Sequence, residues 1–112
     1  MELNFKLSRE ELPVILDGKN YKLKELTGKQ RDTFLNNVGQ RMNFVAGKAQ
    51  GMKSYDGLQS SLLALCLYDD ADKLVSEKDI QEYPASVQTK LFKAAQELNG
   101  LDEEAVEEAK ND

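Results

Sequence analysis

The sequence predicts an α+β fold: a small N-terminal β-hairpin or three-stranded meander packed on three to four helices, with an acidic C-terminal tail. Three observations carry this expectation. Up to Leu23 the chain alternates polar and apolar residues with period two, the period of strands. After Thr27 the apolar residues recur as Phe34, Leu35, Val38, Met42 and Val45, the spacing of a helix face. Further on, Pro84 and Gly100 bracket a second long helical stretch, each at the end where that residue type belongs.

Taken in order, Leu3, Phe5 and Leu7 alternate with Glu2, Asn4 and Lys6, the pattern of a short half-buried strand. A charged connection follows over 8–11. Pro13-Val14-Ile15-Leu16 then meets Asp17-Gly18, a pair suited to the positive φ angles of a tight hairpin turn. Pro13 donates no ladder hydrogen bond and is expected at a strand start or an edge. The return strand covers about 19–23.

The run Tyr21-Lys22-Leu23-Lys24-Glu25-Leu26-Thr27-Gly28-Lys29-Gln30-Arg31-Asp32 turns strand into helix within a few residues. Thr27 stands at the N-cap, where its hydroxyl can accept from a first-turn N–H, and Gln30 completes a capping box. The first helix is expected over about 28–46. The glycine-rich stretch 47–57 reads as a flexible loop. It is either a plain connector or an arm presenting Met52 and Tyr55 to a partner.

A leucine-rich second helix is expected over about 58–68, with Cys66 as a small buried core residue. Asp69-Asp70-Ala71-Asp72 fails as a calcium loop, because Leu74 and Val75 fall where a ligand and the turn glycine belong. It reads as a solvated corner. Ser76 caps a short helix reaching Glu82, and Pro84 opens the last helix, which carries Val87, Leu91, Ala94, Ala95 and Leu98 on one face. The expected organisation is one globular domain over 1–100, with its β element in about 1–26 and its helices in about 27–100. Residues 101–112 form an acidic, flexible tail.

Composition narrows the chemistry. The chain has 112 residues, enough for one modest core, and 40% hydrophobic with 31% charged residues is ordinary for a globular protein. It has no histidine and one cysteine, so a Cys–His nucleophile, a thiolate zinc cage and an internal disulfide are all excluded. The expectation is therefore no enzyme, no catalytic residue, no metal and no cofactor. No apolar run approaches the roughly 20 residues of a membrane span. The protein is expected to stay in the compartment that makes it, with no membrane partner.

The net charge of −5 is unevenly spread. Six acidic residues against one lysine over 102–112 account for all of it, leaving 1–101 neutral. From Lys19 to Lys53 eight basic residues face two acidic ones, and from Ser54 to Gly100 eight acidic face four lysines. The basic half is too dispersed, in an acidic protein, to make a nucleic-acid partner the expectation. The dipolar pattern instead suits self-association between Lys29, Arg31 and Arg41 of one copy and Asp69, Asp70 and Asp72 of another, or else merely solvates each half. Met42, Phe44, Met52 and Tyr55 are the candidate apolar surface for a partner.

The 21–32 run resembles the strand, threonine-headed turn and Gln-Arg-Asp opening of tail assembly chaperones from long-tailed bacteriophages. Later features are similar to that family in the same order: Leu65-Cys66-Leu67-Tyr68, Val75-Ser76-Glu77-Lys78-Asp79-Ile80, Tyr83-Pro84-Ala85, and Leu91-Phe92-Lys93-Ala94-Ala95-Gln96-Glu97-Leu98-Asn99-Gly100. Together they cover most of 20–100. The resemblance implies a non-enzymatic chaperone in the host cell cytoplasm that binds and solubilises the tape measure protein and is absent from the mature virion. It implies that the tail tube protein is met through a C-terminally extended, frameshifted form, this chain being the short form, while the charge pattern is what leads to the expectation of a homo-oligomer. A small structural or connector protein retained in the particle is the alternative.

Overall fold

The computed structural model describes residues 2–40, 42–45, 48–52 and 57–101, the second and third of these stretches as backbone. It begins with β1 (Glu11–Leu16) and β2 (Lys19–Lys24), an antiparallel hairpin paired from Leu16–Lys19 to Glu11–Lys24. Asp17 at φ 51° and Gly18 at φ 75° turn the corner, the left-handed pair that matches the twist of the flanking strands. Leu16 and Lys19 close that two-residue turn. Hydrogen-bonded pairs alternate from there to Glu10, whose carbonyl accepts from Glu25 N at 2.7 Å. Pro13 consequently falls in a non-bonded pair, with its missing N–H toward the open edge of β1.

The third strand of this sheet arrives late in the chain. β5 (Leu67–Tyr68) lies antiparallel to β2, so the order is β1-β2-β5 with β2 central. Between them come α1 (Gly28–Gln40), the antiparallel pair β3 (Met42–Val45) and β4 (Lys48–Met52), and α2 (Leu58–Cys66). After the sheet come α3 (Glu77–Gln81) and α4 (Ala85–Asn99). The α+β class and the N-terminal hairpin packed on helices are as the sequence predicts.

Four details differ from expectation. Residues 2–8 form no strand, and Leu3, Phe5 and Leu7 are 71%, 81% and 97% exposed. Alternation makes a segment competent to pair, but the far side of β2 is taken by β5, and the edge that stays open, that of β1, lacks a donor at Pro13. The first helix ends at Gln40 rather than near 46, because Met42-Asn43-Phe44-Val45 carries β-branched and aromatic residues that favour an extended chain. Much of the expected glycine loop is β4, paired Met42–Met52, Phe44–Ala49 and Val45–Lys48. The second helix stops at Cys66, and Leu67 turns extended (φ −93°, ψ 119°) to pair with Leu23.

The local signals act where they stand. Gln30 N donates to Thr27 Oγ1 at 3.2 Å and Thr27 N donates to Gln30 Oε1 at 3.0 Å, a complete capping box. Ser76 Oγ accepts from Asp79 N at the head of α3. Pro84 is the N-cap residue of α4. Gly100, at φ 63°, ends α4 in the left-handed turn, and Leu101 N closes back on Gln96 O at 2.8 Å.

The core lies between the inner sheet face and the helices. Leu23 and Leu67 meet Phe34 and Val38 of α1, Leu62, Leu63 and Cys66 of α2, Ile80, and Leu91 and Ala95 of α4. Leu101 is buried with them, so the packed body includes the residue after Gly100. Ser60 and Ser61 are buried too, but each hydroxyl donates to the backbone three residues back, at Gly57 and Leu58. Leu26 N donates to Asn99 Oδ1 at 2.7 Å, tying the strand–helix junction to the last turn of α4.

Candidate interaction surfaces

Alternation in β2 sends Leu23 inward and Lys22 and Lys24 outward, and the outer face becomes a polar knot. Asp72 accepts from Lys24 at 2.7 Å and from Lys22 at 3.2 Å. Hydrogen bonds from Lys24 first and Lys22 second hold its carboxyl below the usual carboxylate range. The Asp69–Asp72 corner is built for this. Asp69 Oδ1 accepts from the N–H groups of Ala71 and Lys73, and Asp72 takes a left-handed φ of 62°. Lys24 Nζ also sits 4.4 Å from the centroid of the Tyr68 ring.

Arg9 joins this knot and pins the base of the N-terminal segment. Its Nε donates to Glu25 O at 2.6 Å, and its other nitrogens reach Gln30 Oε1 at 3.3 Å and Tyr68 Oη at 3.4 Å. The same Gln30 oxygen therefore serves the capping box and the arginine. Nothing local in the sequence marks Arg9, since its partners lie 16, 21 and 59 residues away. Beyond this anchor residues 2–8 are exposed throughout, an arm with Leu3, Phe5 and Leu7 in alternate positions.

An open cleft of about 550 Å³ lies where the acidic corner meets α3. Tyr21, Leu74, Val75 and Tyr83 give it an apolar and aromatic lining, and Asp69, Asp79 and Glu82 give it an acidic rim. Burial pushes the Tyr83 phenol up, with Tyr21 and Asp79 adding to the effect, so the ring stays neutral. Leu74 is 44% exposed, and among the described residues of the body it is one of three large apolar side chains, with Leu12 and Ile15, left so open.

Among the described residues no three His, Cys, Asp or Glu side chains gather as a metal site requires. Cys66 is fully buried and its thiol is pushed up to about 12 by that burial, far from a nucleophile's range. No helix among them is long and apolar enough to cross a membrane.

The residues singled out from sequence are distributed as follows. Met42 and Phe44 fall on β3 and Met52 on β4, so one two-stranded element carries all three, with Met42 and Met52 paired. Tyr55 and Arg41 lie outside the described residues. Lys29 and Arg31 are exposed in the first turns of α1. Of the acidic set, Asp70 is exposed, Asp69 organises its own turn, and Asp72 is engaged by Lys22 and Lys24 of the same chain.

A short sheet on a small helical layer, with an exposed arm and an open cleft, makes this an α+β domain. No family model and no curated protein matches the sequence. Among solved structures the chain is similar to the bacteriophage HK97 tail assembly chaperone, at 19% identity, over 80% of this chain and 85% of that one, with a TM-score of 0.55. It shares that protein's fold, and the neighbour is a tail assembly chaperone, as is the family that the 21–32 run resembles.

Proposed function

We propose that this chain is a phage tail assembly chaperone. The observation that carries the reading is a coincidence of two independent signs. The residues around the strand–helix junction resemble that family, and the fold they initiate is that of the HK97 tail assembly chaperone. Neither the buried, neutral Cys66 nor any described acidic cluster offers chemistry that favours an enzyme instead.

In this reading the client is the tape measure protein, a very long helical chain with apolar stripes that aggregates unless covered. Many copies binding weakly coat it by avidity, and acidic tails over 102–112 keep the coated complex soluble and self-repelling. The client surface is the β3–β4 element with the segment that follows, through Met42, Phe44, Met52 and Tyr55. The chaperone acts in the host cytoplasm during assembly and is absent from finished particles. A C-terminally extended form brings the tail tube protein.

The test is co-expression with the product of the very long coiled-coil-rich reading frame expected nearby, followed by pull-down. Wild type should recover the client in soluble form. Phe44→Asp with Met52→Asp should lose most of it while keeping the wild-type circular dichroism spectrum. Undiminished binding by the folded double variant removes the assigned surface. Finding the chain in purified particles removes the chaperone reading in favour of a connector protein.

A further inference from the structure

We infer that the Tyr21–Leu74–Tyr83 cleft is a second client-binding site, which takes one turn of an amphipathic helix carrying an arginine or lysine beside a large apolar side chain. That the client supplies this helix rests on the chaperone reading; the chemistry of the cleft does not.

The walls are set before any partner arrives. Leu74 forms an antiparallel bridge with Tyr68, and Val75 N donates to Leu67 O at 2.9 Å, so the segment leaving the acidic corner is fixed to β5. Tyr21 stands on β2 opposite Val14. Asp79, Glu82 and Tyr83 come from α3 and the residues just after it, where Tyr83 N donates to Ile80 O at 3.0 Å. A surface already held by backbone hydrogen bonds loses little freedom when it is covered. The cleft volume of about 550 Å³ lies within the range of about 300–1,000 Å³ that holds a small ligand or a few side chains.

Its charge selects the occupant. Lys22 and Lys24 neutralise Asp72, and Lys24 also reaches Glu11 at 3.9 Å. Among the described residues neither Asp79 nor Glu82 is in such an ion pair, and no Lys or Arg lines the cleft. A purely apolar segment would strip water from these carboxylates and return no hydrogen bond. Anionic partners, nucleic acid and acidic lipid among them, meet the same charge and are repelled. An arginine or lysine instead gains charge-assisted hydrogen bonds at the rim, with a tyrosine ring face beside it. Leu74 and Val75 then receive an apolar residue one turn along, at the three- or four-residue spacing of a helix face.

The experiment is fluorescence anisotropy on the full chain with labelled peptides of one alanine-based helical frame. The first carries arginine and leucine one turn apart, the second glutamate for that arginine, the third alanine for that leucine. The first should bind saturably, and the other two at least about tenfold more weakly. Asp79→Asn with Glu82→Gln should weaken the first peptide about tenfold and remove most of its salt dependence. Leu74→Lys, at an exposed position, should weaken it similarly. Asp70→Asn with Glu97→Gln removes the same charge from exposed positions outside the cleft lining and should leave binding unchanged. All these proteins should keep the wild-type circular dichroism spectrum. No binding of the first peptide, equal binding of the glutamate peptide, or undiminished affinity in the Asp79→Asn, Glu82→Gln protein overturns the site. An affinity that rises in Phe5→Asp places the chain's own arm in the cleft and overturns it in favour of that occupant. Co-expression separates the site from the chaperone reading. Peptide bound in the cleft while wild type recovers no client keeps the site and overturns the client as its occupant. Client recovered undiminished by Asp79→Asn with Glu82→Gln also removes the client from the cleft, while the chaperone reading stands.

Discussion

Two segments of this chain carry the same period-two pattern and meet opposite fates. Tyr21-Lys22-Leu23-Lys24 becomes part of the central strand, with Leu23 fully buried, while Leu3-Asn4-Phe5-Lys6-Leu7 stays in solvent. Their alternation and their content of apolar and lysine residues are alike, so intrinsic strand preference does not separate them. What separates them is company. β2 has β1 joined to it by a two-residue turn, β5 on its other edge, and Asp72 to neutralise its outward lysines. The arm has only the Arg9 anchor at one end. Alternation states what a segment can do, and neighbours decide whether it does it.

The largest expected effect breaks the likeness outright. Leu23→Ala removes a side chain packed between sheet and helices and should cost about 2–5 kcal/mol in denaturant unfolding. Phe5→Ala removes more volume, yet should change stability by less than about 0.5 kcal/mol when measured in dilute solution. A comparable loss at both sites would mean that the arm packs on its own body.

A smaller effect tests the junction that separates the two segments. Thr27→Ala leaves Gln30 N without its cap and should cost about 1 kcal/mol. Gln30→Ala should do more than an ordinary capping-box loss, because its oxygen also holds Arg9. The readout is amide exchange at Glu25, whose N–H bonds to Glu10 O beside the anchor. Exchange there should accelerate in Gln30→Ala and in Arg9→Ala, with the double variant adding little to either.

How far the fold was readable follows the same division. The Asp17-Gly18 turn, the Thr27–Gln30 box, the Ser76 cap and the Gly100 terminus each rest on residues within about five positions, and all four stand where the sequence predicts them. The arm and β5 depend on which strand edges the completed fold leaves open, which no local window contains, whereas the β3–β4 pair is local to 42–52 and was hidden because Met42 and Val45 also fit a helix spacing. Leu65-Cys66-Leu67-Tyr68 looks like the end of a helix and becomes a strand at Leu67 because Leu23 is there to pair with it. The candidate site was readable as residue types rather than as places. Met42, Phe44 and Met52 share one β element, but Arg9 and the tyrosine-lined cleft assemble from positions up to 62 residues apart.

The smallest expected effect concerns the charge that lets β2 be central. Asp72 is exposed and its carboxyl is held low by Lys24 and Lys22, so near its ordinary value of 3.8 the folded chain binds fewer protons there than the unfolded chain. Its contribution is therefore complete above that value and fades as the pH drops through the lowered one. Asp72→Asn keeps a residue tolerant of the left-handed φ of 62° and removes only the charge. Wild type should exceed the variant slightly in denaturation midpoint at neutral pH, and the two should converge in acid. Raising salt should narrow the neutral gap as well, since the group is open to solvent. A gap of constant size at every pH would assign the effect to the turn's backbone and leave the two lysines without a role in placing β2 between its neighbours.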